Sequence, residues 1–363
     1  MESLRARGGI VESVLPHYDL DNLSIATLAS HSALQILHGA KTEGFRTLLV
    51  VEKRRLWFYE QFKHLSDRFV VVDEWRELCK PEVVETLREE NSILIPHGSF
   101  VEYVGMDCAE GVELPIFGLR SIFRVEANQH EKMRLLREAG IPTPRTYEVG
   151  EPFHGLVIVK LPGAKGGRGY FIEKDPEAVR RRVESLVASG AISSPREVIV
   201  QEYVLGVTAY VHYFYSPLFD RVEILGADIR YESDIDGISR IPSWLASGTL
   251  VDPTFTVVGN IPLVLRESIL VKYMEYGVRF VEATRRLSPP GIIGPFCLES
   301  VIDRDMNIKV FEFSGRIVAG TNLYVAGSPY SYLYWSEPMS MGRRIAREIK
   351  EAARRGVLEK VLT

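Results

Sequence analysis

Short apolar runs alternate with amphipathic stretches through the first 120 residues. Ile25–Leu28, Thr47–Val51, Phe69–Asp73 and Ser92–Pro96 are β-prone, while Ser32–Gly39 and Pro81–Glu90 carry helical periodicity. Short apolar strands separated by helices predict a doubly wound parallel α/β sheet. In such a sheet ligands sit beyond the carboxyl ends of the strands. Two loops fall there, Ala29-Ser-His-Ser32 and His97-Gly-Ser99. Ser30 or Ser32 is a candidate cap for the following helix, whose free N–H groups favour an anion. Helix capping alone is the simpler reading of either serine, but two Ser/His loops at strand ends predict a site for a phosphorylated small molecule.

From about Arg124 the pattern changes. A helix over His130–Ala139 is stopped by Gly140 and Ile141-Pro-Thr-Pro144. An apolar β-type run follows and ends at Lys160, a glycine-rich loop intervenes, and β-type sequence resumes at Tyr170. A helix over Pro176–Ser189 and a strand over Glu197–Val204 lead to a hinge at Leu205-Gly206, whose main chain is suited to an adenine edge. The remainder has β-type runs at Val207–Tyr215 and Glu223–Tyr231, a helix over Glu267–Leu287 and a closing helix beginning near Gly342.

The loop after Lys160 carries Gly163, Gly166, Gly167 and Gly169 interleaved with Lys165 and Arg168. Glycine lets main-chain N–H groups approach a polyphosphate without Cβ interference, and the cations supply countercharge. A strand rather than a helix follows, so the loop is neither a Walker A motif nor a Rossmann fingerprint. It reads as a hairpin lid over nucleotide phosphates; an ordinary glycine-rich hairpin is the bland alternative.

A second signal favours the lid. Glu299 and Glu312 each lie in an apolar β-type run, and the turn-prone Asp303-Arg-Asp-Met-Asn307 separates the two. Antiparallel neighbours joined this way place both carboxylates on one face, where they would repel unless a cation intervenes. Magnesium or manganese fits, because such ions take one or two carboxylates together with phosphate oxygens. A surface salt-bridge hairpin is the alternative, but the apolar neighbours Cys297, Leu298, Phe311 and Phe313 argue for burial.

Composition narrows the class without naming a chemistry. The 363 residues allow two or three domains, and 46% hydrophobic with 25% charged residues is ordinary for a globular protein. A net charge of −4 offers no general attraction for nucleic acid or acidic membranes, so any anion is bound locally. No apolar run reaches the roughly 18 residues of a membrane span, and no signal region follows the N-terminus, so a cytoplasmic protein is expected. Cys79, Cys108 and Cys297 lack metal-type spacing and suggest no disulfide framework.

The order of these parts resembles an ATP-grasp ligase: a leading α/β domain, then an ATP clamp of two α+β lobes. The helix ending Ala139-Gly-Ile-Pro-Thr-Pro144, Lys160 with its lid, Gln201-Glu-Tyr-Val-Leu-Gly206 and the Glu299/Glu312 pair carry that likeness. A narrower one is carried by Ala29-Ser-His31, Pro96-His-Gly-Ser-Phe100, Pro162 to Phe171, His212-Tyr-Phe-Tyr-Ser-Pro217, Arg230-Tyr-Glu-Ser233, Gly259-Asn-Ile-Pro262, Gly294-Pro-Phe-Cys-Leu298, Gly320-Thr-Asn322 and Ser340 to Arg347. From about residue 24 onward the chain resembles the archaeal formate-dependent formaminoimidazole carboxamide ribonucleotide synthetases.

That resemblance implies three domains: residues 1–122 binding a ribonucleotide, 123–204 as the small lobe with the lid, and 205–363 as the large lobe with the metal site. It implies formylation of aminoimidazole carboxamide ribonucleotide (AICAR) by ATP and formate through formyl phosphate, releasing ADP and phosphate. His31, Ser99, Asn260 and Asn322 are then expected at the ribonucleotide. Lys160, Gly163, Gly166, Gly167, Gly169, Glu202, Tyr203, Val204 and Glu232 are expected at ATP, and Glu299 and Glu312 at magnesium. Lys160, Arg168 and Arg316 are the expected catalytic cations. The implied partners are small molecules, with a homo-oligomer expected.

Two positions depart from the pattern. Gln129 stands where many ATP-grasp chains carry a phosphate-contacting lysine, a role left to Lys132 or Arg124. Val318 stands where an acidic residue is expected, which leaves open a paralogue joining a different acid or amine. A nucleotide-binding regulator descended from a ligase is the non-enzymatic alternative, and the retention of Lys160, the lid and both glutamates argues against it.

Overall fold

The computed structural model describes residues 9–161, 170–242 and 254–363. The leading domain runs β1 (Ser24–Leu28), α1 (Ala33–Thr42), β2 (Arg46–Glu52), β3 (Arg68–Val72), α2 (Pro81–Glu89), β4 (Ser92–Leu94), α3 (Phe100–Val104) and α4 (Met106–Gly111). Its strands are parallel in the order β3-β2-β1-β4. The chain moves from β1 to β2 on one side, while β4 lies on the other. A crevice therefore opens between the loops that leave β1 and β4. Both strands are buried along their whole length, which is why their sequences are apolar runs rather than alternations.

Contrary to the reading of the cysteines, Cys79 and Cys108 form a disulfide, with Cα atoms 5.9 Å apart. They are 29 residues apart in sequence. They meet because the turn Trp75–Cys79 packs against α3 and α4, a tertiary contact that spacing cannot reveal. Cys297 is free and buried.

The small lobe follows α5 (Ile122–Ala127) and α6 (Gln129–Glu138). The Asn128 side chain caps α6 by accepting from the His130 and Glu131 amides, and Gly140 ends it with φ +67°. Then come β5 (Thr146–Tyr147), β6 (Val157–Lys160), β7 (Phe171–Glu173), α7 (Pro176–Ala188) and β8 (Ile199–Glu202), forming an antiparallel sheet in the order β5-β8-β6-β7. Phe153, Val159, Phe171, Val183 and Val200 belong to a core of its own. The lid glycines Gly163, Gly166, Gly167 and Gly169, with Lys165 and Arg168, lie outside the described residues. The strands they join pair antiparallel, as a hairpin requires.

The large lobe contains β9 (Gly206–Ser216), β10 (Arg221–Glu232), β11 (Val257–Pro262), α8 (Glu267–Leu287), β12 (Gly294–Asp303), β13 (Ile308–Ser314), α9 (Pro329–Trp335) and α10 (Met341–Arg354). Its five strands are antiparallel in the order β11-β10-β9-β12-β13. One face packs on α8: the Tyr213 hydroxyl donates to the Tyr273 carbonyl at 2.9 Å, and the Phe280 ring meets Phe296 and Phe313. The opposite face is polar and forms one wall of the site. Helix α10 returns to α1 so closely that a Cβ on Gly39 would lie 2.1 Å from the Arg343 nitrogen. That contact joins the end of the chain to the leading domain.

Candidate active site

Alternation along the strands builds the polar face, since residues two apart point the same way. Strand β10 contributes Asp228, Arg230 and Glu232; β9 contributes Tyr210 and His212. Glu299 of β12 pairs across the ladder with both Tyr210 and Glu312, so the two carboxylates sit side by side as their sequence context predicts. Each is already engaged. Arg230 donates to Glu299 at 2.8 Å while stacking over the Tyr210 ring at 4.0 Å, and Ser314 donates to the same carboxylate oxygen. Lys132 of α6, itself buried, pairs with Glu312.

These contacts set the protonation states. Burial alone would raise the Glu312 carboxyl, but Lys132, Lys160 and Arg230 hold it well below the usual range. Burial lowers the Lys160 ammonium; Lys132 adds to that effect, and Glu312 and Glu299 oppose it. Lys160 lies at the end of β6 with its Nζ 5.1 Å from the Phe311 ring centre, an aromatic contact that suits a cation. Glu232 is pushed up to about 7, mainly by burial, with Asp236 and Glu299 adding to the shift and Arg230 opposing it.

The crevice of the leading domain has a different character. His31 leaves β1 in a left-handed conformation, φ +54°, and its ring stacks parallel to that of His97 with centroids 5.4 Å apart. His97 donates from Nε2 to the Leu28 carbonyl at 3.2 Å and accepts the Ser99 amide at Nδ1, 3.3 Å away. Burial brings the His97 imidazole down to about 3, with Arg316 contributing, so the ring is neutral. A Cβ on Gly98 would lie 2.3 Å from His31 Nε2, so only glycine allows this ring to sit where it does. A cleft of about 560 Å³ joins the two regions, lined by His97, Gly98 and Arg316 of the crevice side together with Lys132, Tyr170 and Glu312.

Comparisons with known proteins agree with this geometry. Residues 25–147 match a family model described as a protein of unknown function (DUF1246), and 178–363 one described as a domain of unknown function (DUF1297). The 5-formaminoimidazole-4-carboxamide-1-(beta)-D-ribofuranosyl 5'-monophosphate synthetase of Ignicoccus hospitalis is 57% identical over 97% of this chain and 99% of its own length. The chain belongs to this synthetase family. The crystal structure of an IMP biosynthesis protein PurP from Thermococcus kodakaraensis matches with a TM-score of 0.75 and 36% identity, covering 93% of this chain and 100% of that one. The ADP complex of N5-carboxyaminoimidazole ribonucleotide synthetase matches with a TM-score of 0.63 at 12% identity, over 90% of this chain and 76% of that one, and shows the fold alone. That fold is ATP-grasp preceded by a parallel α/β domain.

Several expected residues of the synthetase fold converge and others are held elsewhere. Neither Ser30 nor Ser32 caps α1. The Ser30 hydroxyl pairs with Tyr103, and that of Ser32 pairs with His31 Nδ1 at 2.9 Å and Val318 O at 3.3 Å. Backbone placement turned both hydroxyls inward. Ser99 stands at the start of α3 and its side chain makes no capping bond. Of the two candidates to replace the lysine missing at Gln129, Lys132 is beside Glu312, whereas Arg124 is exposed and paired with Glu110. The reason is helical phase: Lys132 lies on the buried face of α6.

Arg316 lines the cleft and pairs with Glu126 at 2.6 Å. The Asn322 amide donates to the His31 carbonyl and accepts from Gln35, holding the β1 loop. Asn260 donates to Asp228 at 2.7 Å, and His212 bonds the other Asp228 oxygen at 2.6 Å. The Glu202 carboxylate takes Lys309, while the Glu202 and Tyr203 amides bond the Arg145 and Leu156 carbonyls; no such bond involves the Val204 amide among the described residues. Val318 is buried with Tyr210 and Cys297, and its carbonyl accepts from Ser32 and Thr321.

Arg230 and Asp228 belong to the site although reading the sequence for chemistry gave neither a role, whereas His97 was already part of the second Ser/His loop. The alternation Asp228-Ile-Arg230-Tyr-Glu232 was the available signal for the first two.

Proposed function

We propose that this chain formylates AICAR with formate and ATP, releasing ADP and phosphate, as a step of purine biosynthesis. The observation that carries the reading is the single cleft joining two unlike regions, a neutral Ser/His crevice and a face of paired charges. Formate is a poor acyl donor because oxide is a poor leaving group. Phosphorylation by ATP gives formyl phosphate, from which phosphate departs readily. Positioning and charge stabilisation do most of that work.

His31 and Ser99 hold the ribonucleotide, with Asn260 and Asn322 supporting, and Arg316 lies between it and the phosphates. The main chain at Glu202–Val204 receives the adenine, with the Val204 amide as donor, and Glu232 contacts the nucleoside. Lys160 and the lid cations Arg168 and Lys165 face the phosphates, with Lys132 in place of the absent lysine at Gln129. The lid glycines Gly163, Gly166, Gly167 and Gly169 close over them, excluding water from formyl phosphate. Residues 1–122, 123–204 and 205–363 act as the ribonucleotide domain, the lid lobe and the metal lobe.

Glu299 and Glu312 suit magnesium or manganese. They are adjacent hard donors, and such an ion would take them together with phosphate oxygens. Such an ion supplies neutralisation of phosphate charge during transfer. Arg230 and Lys132 meanwhile hold the two carboxylates in place.

We place the protein in the cytoplasm as a homo-oligomer acting on small molecules. Among the described residues no helix is long and apolar enough to cross a membrane. An apolar groove where Leu333 and Tyr334 of α9 meet Leu270 and Met274 of α8 supports self-association.

Incubation with ATP, magnesium, ¹³C-formate and AICAR followed by mass analysis tests the activity. One labelled formamido product per ADP is expected. ADP release without incorporation, or faster reaction with an amino acid than with formate, would reject it.

A further inference from the structure

We infer that His31 accepts the proton of the attacking amine, through an Nε2 lone pair fixed by the relay from Nδ1 through the Ser32 hydroxyl to the Val318 carbonyl. The inference rests on the reading that the ribonucleotide lies over His31.

The Ser32 hydroxyl touches both His31 Nδ1, at 2.9 Å, and Val318 O, at 3.3 Å. It has one proton, and a carbonyl can only accept. If the hydroxyl donates to Val318, it must accept from His31, so Nδ1 carries the hydrogen. The opposite tautomer would satisfy only one of the two contacts. A neutral imidazole has a single N–H, so Nε2 then carries a lone pair. Asn322 fixes the residue from behind by donating to the His31 carbonyl at 3.0 Å. No protein group among the described residues hydrogen-bonds Nε2, which lies over Gly98, where even a methyl group would collide with it.

The ring is also kept neutral. Burial, with the charges of Arg316 and Arg230 adding to it, holds it well below the ordinary imidazole value. A neutral Nε2 acceptor is the wrong partner for a phosphate oxygen and the right one for an N–H. The anionic phosphates of the two substrates offset Arg316 and Arg230 when bound, making the ring a better base at the moment it is needed.

In the transfer step the amine lone pair forms the new C–N bond at the formyl carbon. The bond from that carbon to the phosphate oxygen breaks, and phosphate leaves with its electron pair. The amine proton passes to Nε2 and returns to solvent, or to the departing phosphate, before the next turnover.

Histidine-selective ¹⁵N NMR on the wild-type protein and coupling assays on His31→Asn and Ser32→Ala provide the test. Asparagine tolerates the left-handed backbone and keeps a partner for Ser32. At neutral pH the His31 Nε2 should give the signal of an unprotonated ring nitrogen and move when AICAR binds. At saturating AICAR, His31→Asn should lower formamido product about 100-fold or more, the usual scale for a positioned base. Phosphate release should fall much less, so that phosphate exceeds product. Ser32→Ala should mix the tautomers and reduce product formation several-fold. A protonated Nε2, or a phosphate-to-product ratio of one with a rate within threefold of wild type in His31→Asn, would overturn the base role. His31 signals unmoved by bound AICAR would instead remove the placement of the ribonucleotide, and the inference with it.

Discussion

The crevice above the parallel sheet and the polar face of the antiparallel sheet handle charge in opposite ways. In the crevice, two stacked histidines are neutral: buried His97 bonds a backbone carbonyl and a backbone amide, and half-buried His31 pairs with the Ser32 hydroxyl. On the antiparallel face, buried Glu299 and Lys132 pair with half-buried Arg230 and Glu312, each opposite a side chain of the other sign. The first arrangement suits a ligand held by shape and hydrogen bonds. The second stores countercharge that can be redistributed when a polyphosphate and its metal arrive. A ligase that must hold an acceptor still while phosphate moves needs both.

The comparison breaks most visibly at the carboxylate pair. Glu312→Gln should lower turnover about 1,000-fold or more, in the range of a lost electrostatic contact to the reacting group, while leaving AICAR affinity within about twofold by calorimetry. Glu299→Gln should behave alike and also lower stability by about 3 kcal/mol, because Arg230 is left without its counterion. Chemical denaturation measures that cost. A wild-type rate in either variant would remove the metal assignment.

Next in size is the disulfide of the leading domain. Closing a loop of this length stabilises by about 3–4 kcal/mol in the chain-entropy model. Cys108→Ser should lose that amount in a denaturant titration. The antiparallel lobe has no such crosslink among the described residues, so protease sensitivity should rise selectively around α3 and α4.

Ser99→Ala should raise the apparent KM for AICAR tenfold or more, corresponding to the 1.5–3 kcal/mol of a hydrogen bond to a charged group, and leave that for ATP within twofold. An equal rise for both substrates would erase the distinction between the regions.

The smallest effect concerns Glu232. Its folded value near 7 lies above the ordinary glutamate value, so the folded state holds an extra proton between about 4.5 and 7. Its contribution to stability is therefore present at low pH and lost as pH rises through 7. Glu232→Gln should match wild type in Tm near pH 4 and exceed it at pH 8; a constant difference across that range would contradict the shift.

Much of this architecture was legible in the sequence, for reasons that differ between the regions. Strands β1, β2 and β4 show themselves because burial on both faces makes each a short apolar run. The Glu299/Glu312 pairing shows itself because one local turn joins their strands. The Arg230–Glu299 contact depends instead on β9 lying between β10 and β12, and no local pattern encodes a strand order. The Cys79–Cys108 bond likewise depends on how one turn packs on two helices. Ser30 and Ser32 looked like caps because they precede a helix, yet their hydroxyls face Tyr103 and Val318, neighbours supplied by distant segments, and the His31 ring between them in sequence.

The central claim is that acceptor and nucleotide bind at separable ends of one cleft. Parallel calorimetric titrations of AICAR and of magnesium–ATP into the Glu299→Gln/Glu312→Gln double variant test it most directly, with circular dichroism confirming the fold. The account predicts AICAR affinity within about threefold of wild type and a loss of the magnesium-dependent part of ATP binding. Unchanged magnesium-dependent ATP binding, or loss of AICAR binding in the folded variant, would contradict it.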